Sequence, residues 1–311
     1  MKLNRLVSLS FISACSFFSV VNSHAAHLDP ESTEFSRNFL LPFSNSALSK
    51  IPNRNGSKLN FASDQKEFIP LENQRLTSTL DAFFSQDTDK DTIWSVDIRA
   101  FSPSGQSYTV YQFHPQTPVR PASNMKLLTT WSAFHQIPEL YDTSSRQYSQ
   151  VYNMMKTSDN DAAEMVLKWL GGPQAIYDTF QQENLGHTAG MKVVDGSGLS
   201  YSNQVAASDL IQVLLSVYYS DYYKKFRAVL PIAGVDGTLA TRPVTSHASV
   251  SAKTGTLTHN PDVALSGFAN TDNGWLVIFS IVGDSIPDVD RSRATIDHAV
   301  DEVANTMRFY K

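Results

Sequence analysis

Ser123 and Lys126 stand three residues apart at the head of the apolar run Met125-Lys126-Leu127-Leu128, just after Pro121-Ala122. On helical geometry that spacing brings hydroxyl and amine onto neighbouring turns of one face, within touching distance. A serine is a weak nucleophile until a base takes its proton, and a lysine acts as that base only where its surroundings keep it neutral. The pair therefore suggests acyl transfer through a serine ester. The same residues also suit a plain helix N-cap with a solvated lysine one turn on. Ser63-Asp64-Gln65-Lys66 repeats the spacing in a polar stretch with no apolar helix behind it.

Two further segments follow in order, Ser158-Asp159-Asn160 and Lys253-Thr254-Gly255-Thr256. Ser36-Arg37-Asn38 also reads Ser-x-Asn but precedes both Ser-x-x-Lys pairs, Lys-Thr-Gly occurs once, and the order Ser-x-x-Lys, Ser-x-Asn, Lys-Thr-Gly starts from an apolar helical run only at Ser123. That ordered triple resembles the penicillin-recognising active-site serine enzymes, the penicillin-binding proteins and serine β-lactamases. Val194-Asp195-Gly196-Ser197-Gly198-Leu199-Ser200 and Leu230-Pro231-Ile232-Ala233-Gly234-Val235-Asp236-Gly237-Thr238-Leu239 narrow the resemblance. With them the chain from about Trp94 onward is similar to the penicillin-binding protein 4 type of D-alanyl-D-alanine carboxypeptidase/endopeptidase, the class C low-molecular-mass penicillin-binding proteins.

The resemblance implies a division of labour. Ser123 attacks, Lys126 takes its proton, Ser158 passes a proton to the leaving amine, and Asn160 holds the substrate's amide backbone. The backbone N–H groups of Ser123 and Thr256 form the oxyanion hole. Lys253, Thr254 and Thr256 receive a terminal carboxylate, and Gly255 lets the strand approach the substrate. Burial and the second cation, Lys253, are both expected to lower the Lys126 pKa. Peptidoglycan stem peptides are the implied substrate, and β-lactams the implied covalent inhibitors. A β-lactamase or esterase on the same fold, and a wall-binding protein with an impaired site, remain as alternatives. No Glu-x-x-Leu-Asn segment lies between Asn160 and Lys253 to activate a deacylating water, so acylated β-lactam should leave slowly.

Two departures stand out. The resembled enzymes usually carry a long multi-domain insertion between the first two motifs, whereas Lys126 and Ser158 are separated by about thirty residues, enough for a short helix or loop. Where they follow Asp195-Gly196-Ser197-Gly198 with an arginine, this chain has Tyr201. The segment itself reads either as a tight turn or as a substrate contact; the third glycine of a dinucleotide loop is missing.

The positioning elements are legible as an α/β (α+β), β-lactamase/transpeptidase-like order: an antiparallel sheet flanked by helices, plus a helical subdomain at about 124–247. A helix is predicted over 71–85, then a hairpin of 94–101 and 106–113 turning at Ser102-Pro103-Ser104-Gly105. The Ser123 helix should end near Gln136, before Pro138. Helices are expected at 160–170, from Pro173 to about 183, and at 208–223. Strands follow around Ser249–Lys253, 263–269 and 275–282, with an Asn273-Gly274 turn, and an amphipathic helix over 292–309 closes the sheet.

With 311 residues, 41% apolar and 18% charged, the chain can bury one or two cores, and its net charge of −5 offers no basic footprint for nucleic acid. Lys2 and Arg5, the apolar stretch 6–21 and Ser23-His24-Ala25 read as a secretory signal over 1–25, which places the protein in the periplasm. Ile12-Ser13-Ala14-Cys15 also resembles a lipoprotein box, which would make Cys15 a lipidated N-terminus. Residues 26–70 read as an extended or mobile arm, in which Phe35, Phe39, Leu40, Leu41 and Phe43 suit packing on the body or docking of a partner. Residues 71–311 form the catalytic-type domain. Histidines are scattered singly without His-Glu-x-x-His, so neither metal nor cofactor is expected.

Overall fold

The computed structural model describes residues 69–71, 73–86 and 91–310, all within one unit, Pro42–Lys311. The expectations for the signal, Cys15 and nearly all of the arm lie outside the described residues. One part of the sheet is a hairpin: β2 (Ile93–Phe101) and β3 (Ser107–Phe113) pair antiparallel, with a bulge at Ile98/Arg99. Gly105 takes φ 85° in the connecting turn, and Ser102 Oγ accepts the Gln106 N–H. Strands β4 (Ala248–Leu257), β5 (Asp262–Thr271) and β6 (Leu276–Asp284) form an antiparallel meander, and β6 pairs with β2. The two-residue β1 (Ile69–Pro70) joins β3 in parallel, so the order is β1-β3-β2-β6-β5-β4. The fold is α/β, with five antiparallel strands as its body.

Strands β5 and β6 are buried along nearly their whole length because both sheet faces are covered. On one face, α1 (Gln74–Gln86) and α8 (Val289–Met307) set Leu80, Phe84, Val300 and Val303 against Trp94, Val96 and Phe279. The other face carries the helical half: α2 (Met125–Gln136), α3 (Arg146–Lys156), α4 (Asn160–Trp169), α5 (Gln174–Gln182), α6 (Ala207–Tyr219) and α7 (Tyr223–Val229). Its core sets Trp131, Phe134, Val166 and Leu214 with Phe268 and Ile278 of the sheet. Among the described residues no helix is long and apolar enough to cross a membrane.

Caps explain the boundaries. Ser145, Asp159 and Asp288 accept first-turn N–H groups of α3, α4 and α8. Helix α2 stops where Ile137, restricted by Pro138, turns extended. The helix expected over 208–223 is two helices. At the end of α6, Ser220 turns extended and its hydroxyl donates to the Val217 carbonyl, so α7 starts afresh at Tyr223.

Candidate active site

Ser123 does not sit on the α-helix. It lies in a 3-10 turn, Ala122–Asn124, that feeds α2. Ala122 is left-handed at φ 45°, a conformation that costs a residue with a Cβ about 1–2 kcal/mol. Its neighbours hold it there. A Cβ on Gly198 would stand 1.8 Å from the Ala122 carbonyl oxygen, and one on Gly255 would stand 3.1 Å from the Ala122 Cβ and 3.1 Å from the Pro121 oxygen. The absent side chain of Gly255 therefore makes room for the nucleophile's own turn. Asn124 Nδ2 donates to Ser266 Oγ at 2.7 Å, and Arg120 bonds Asp262 and Asp284 at 2.8 and 2.6 Å. These contacts anchor both ends of the turn to β5 and β6.

Lys126 Nζ lies 3.1 Å from Ser123 Oγ, 2.8 Å from Asn160 Oδ1 and 2.7 Å from the Ser197 carbonyl, with its residue wholly buried. Amide and carbonyl oxygens only accept, so they consume the two N–H bonds of a neutral amine. The lone pair is left for the Ser123 hydroxyl proton. Burial pushes the Lys126 pKa down to about 8, against the pull of the Asp195, Glu164 and Asp159 carboxylates.

Ser158 is the single residue between Thr157, the C-cap of α3, and the α4 cap Asp159, and it takes φ 62°. The Lys253 amine donates to its hydroxyl at 2.9 Å and to the Thr254 carbonyl at 2.9 Å. Lys253 is 0% exposed, and burial first, then Lys126, holds its pKa well below the ordinary lysine value. Burial is the leading cause of the lowering at both lysines. Lys253 thus reaches the site as a buried donor.

The Asp195-Gly196-Ser197-Gly198 segment is a tight turn with a second duty. Asp195 accepts from Gly198 N at 2.7 Å, Ser200 N at 2.6 Å and Asn203 Nδ2 at 2.8 Å. Glu164 of α4 accepts from Ser197 N at 2.9 Å and Gly196 N at 3.3 Å. The turn so held aims the Ser197 carbonyl at Lys126. Glu164 carries no motif of its own and was missed by sequence reasoning, and the carbonyl role of Ser197 lay hidden in the segment read as a turn or a substrate contact. Tyr201 covers Arg120 at 5.5 Å and its hydroxyl accepts the His259 N–H.

Strand β4 is the sheet edge. Val250 O and Ala252 N turn outward to bond Ala233 N and Pro231 O, so by ladder alternation the N–H groups of Thr254 and Thr256 face the same free edge. Asp236 holds the 231–239 loop by accepting from Ile232 N and pairing with Lys156, and the Thr238 hydroxyl meets Thr254 Oγ1 at 2.7 Å. Thr238 is a further residue of the site. Among the described residues no group of three or more His, Cys, Asp or Glu could hold a metal ion. Hydrogen bonds thus join Ser123 and Asn160 through Lys126, and Ser158 to Lys253, with Gly255 packed on the turn and Thr254 and Thr256 along the edge.

The sequence profile of the D-Ala-D-Ala carboxypeptidase 3 (S13) family matches residues 139–307, more than half of the 311 residues. The chain belongs to this family. The S13 match contains the second and third motifs, and Ser123 and Lys126, which precede it, are bonded to it through Asn160 and Ser197. Similar curated proteins include a D-alanyl-D-alanine carboxypeptidase of Actinomadura sp. strain R39, 34% identical over 163 residues, 47% of this chain and 30% of that protein. Carboxypeptidase DacB of Mycolicibacterium smegmatis is 30% identical over 173 residues, 50% of this chain and 36% of its own. The chain spans about a third of the length of these relatives. The S13 fold is shared with solved structures. Penicillin-binding protein 4 of Haemophilus influenzae matches with a TM-score of 0.57 at 14% identity, over 74% of this chain and 98% of that one. A β-lactamase from Streptomyces albus G also gives 0.57, at 12% identity, over 75% and 99%.

Proposed function

We propose that the chain is a serine D-Ala-D-Ala carboxypeptidase that acts on peptidoglycan stem peptides through an acyl-enzyme on Ser123. The observation that carries this reading is the bonding of Lys126, whose two obligate acceptors leave its lone pair to Ser123. Ser123 Oγ attacks the carbonyl carbon of the penultimate residue, and its proton passes to Lys126 Nζ. The tetrahedral oxyanion lies between the N–H groups of Ser123 and Thr256, each such donor being worth about 3 kcal/mol in the transition state. The C–N bond then breaks and the leaving D-alanine amine takes the proton through the Ser158 hydroxyl, which Lys253 orients. Asn160, its oxygen committed to Lys126, turns its NH2 to a substrate carbonyl. Water releases the acyl group.

The same acylation should trap β-lactams. Between Asn160 and Lys253 no Glu-x-x-Leu-Asn segment supplies a base for a deacylating water, and Glu164 holds the 196–197 backbone with both oxygens, so the adduct should persist. The charged start and apolar run at 1–21 support export to the periplasm. D-Alanine release from a pentapeptide stem tests the reading. Release by wild type that Ser123→Ala abolishes supports it, and no release from the wild-type protein contradicts it.

A further inference from the structure

The carboxylate on the leaving side of the substrate calls for positive charge, and Lys253 is buried with its amine bonded to Ser158 Oγ and the Thr254 carbonyl. A different cation stands at the same edge. Arg293, near the start of α8, donates from Nη2 to Thr256 Oγ1 at 3.0 Å. Its other contact is weak: Nη1 lies 3.2 Å from Asp290, whose side chain is 93% exposed, while that of Arg293 is 40% exposed. Nearby Arg242 is committed to Asp297 through Nε at 3.0 and 2.8 Å, and its Nη2 donates to the Arg293 carbonyl, which fixes the start of the arginine's backbone. Thr256 spends its hydroxyl proton on the Gly255 carbonyl, so toward Arg293 it only accepts. The guanidinium is thereby set beside the residue whose N–H faces the cleft, with planar donors still open to water.

We infer that Arg293 recognises the free carboxylate on the leaving side of the scissile amide and so selects substrates that end there. The assignment rests on the carboxypeptidase reading above for the identity of the substrate. A planar fork of donors matches a carboxylate in two-point contact, which an amide or ester end cannot reciprocate. Arg293 is thus a specificity residue, set beside Thr256 at the strand edge.

The test is an NMR titration of N-acetyl-D-Ala-D-Ala and of its C-terminal amide into Ser123→Ala, alone and combined with Arg293→Gln or Arg293→Lys. Arg293→Gln should weaken binding of the acid by about tenfold or more, the scale of a charge-assisted hydrogen bond, and change binding of the amide less than about twofold. Arg293→Lys should restore part of the loss. Unchanged acid binding in Arg293→Gln, equal weakening of acid and amide, or no acid binding to Ser123→Ala would overturn the assignment. Turnover is not read in the titration. A chain that bound the acid through Arg293 yet released no D-alanine would sink the hydrolase reading and leave this one standing.

Discussion

Ser158 holds a left-handed backbone at φ 62°, and the Lys253 amine, 95 residues away in sequence, donates to its hydroxyl at 2.9 Å. The lysine occupies an acceptor lone pair of the hydroxyl and leaves its proton to be passed on. Ser158→Gly separates this chemistry from the fold, since glycine adopts the same φ without strain. D-Alanine release should fall about a hundredfold, the lower range for a lost proton carrier, while the thermal midpoint stays level or rises. A variant that melts well below wild type would place Ser158 in the scaffold instead.

Lys126 must be neutral to accept the Ser123 proton. With its pKa lowered to about 8, acylation should rise with pH below that value and level above it. Asp159 is one of the carboxylates that hold the amine charged, and asparagine caps a helix equally well. Asp159→Asn should therefore shift the acidic limb of a stopped-flow penicillin acylation profile to lower pH. A shift to higher pH would contradict the sign of that charge.

Gly198→Ala should be among the most damaging single changes. The new methyl would enter the Ala122 carbonyl at a φ of 86°, so about 3 kcal/mol or more of stability should be lost in a denaturant melt. Surviving protein should acylate slowly because the nucleophile's turn has moved. Gly255→Ala, with contacts of 3.0–3.1 Å, should cost less.

The local parts of the fold were readable from the chain. Three-residue spacing announced the Ser123–Lys126 contact, Pro138 the end of α2, and alternation the 93–113 hairpin. What escaped depends on partners far apart in sequence. That Ala122 is left-handed follows from Gly198 and Gly255 pressing on it. That Lys126 is flanked by carboxylates follows from Asp195 and Glu164 being folded around it, 69 and 38 positions on. Burial and Lys253 were expected together to lower Lys126, and burial ranks first at both lysines. Ser220 was hidden because a serine inside an apolar helical run interrupts it only when its hydroxyl turns back onto the chain.

Asp262 ties stability to pH at the nucleophile's turn. Burial and the nearby Asp284 push its carboxyl up to about 7, against Arg120 and the Ser285 N–H, and its Oδ2 has no hydrogen-bond partner. A carboxyl raised above its unfolded value, about 4, favours the fold while protonated. That contribution is complete below pH 4 and is lost as pH rises to 7, on the order of a few kcal/mol. Asp262→Asn keeps an acceptor for Arg120 without the charge. Its thermal midpoint should exceed that of wild type at pH 8 and match it at pH 4, and a variant less stable than wild type at pH 8 would show that the ionised pair with Arg120 prevails.

Peptide mass mapping after brief exposure to benzylpenicillin tests the serine assignment most directly. A single penicilloyl adduct on the peptide bearing Ser123, persisting after removal of free drug and absent from Ser123→Ala, is the expected result. No adduct on wild type, or an adduct that survives in Ser123→Ala, would contradict it.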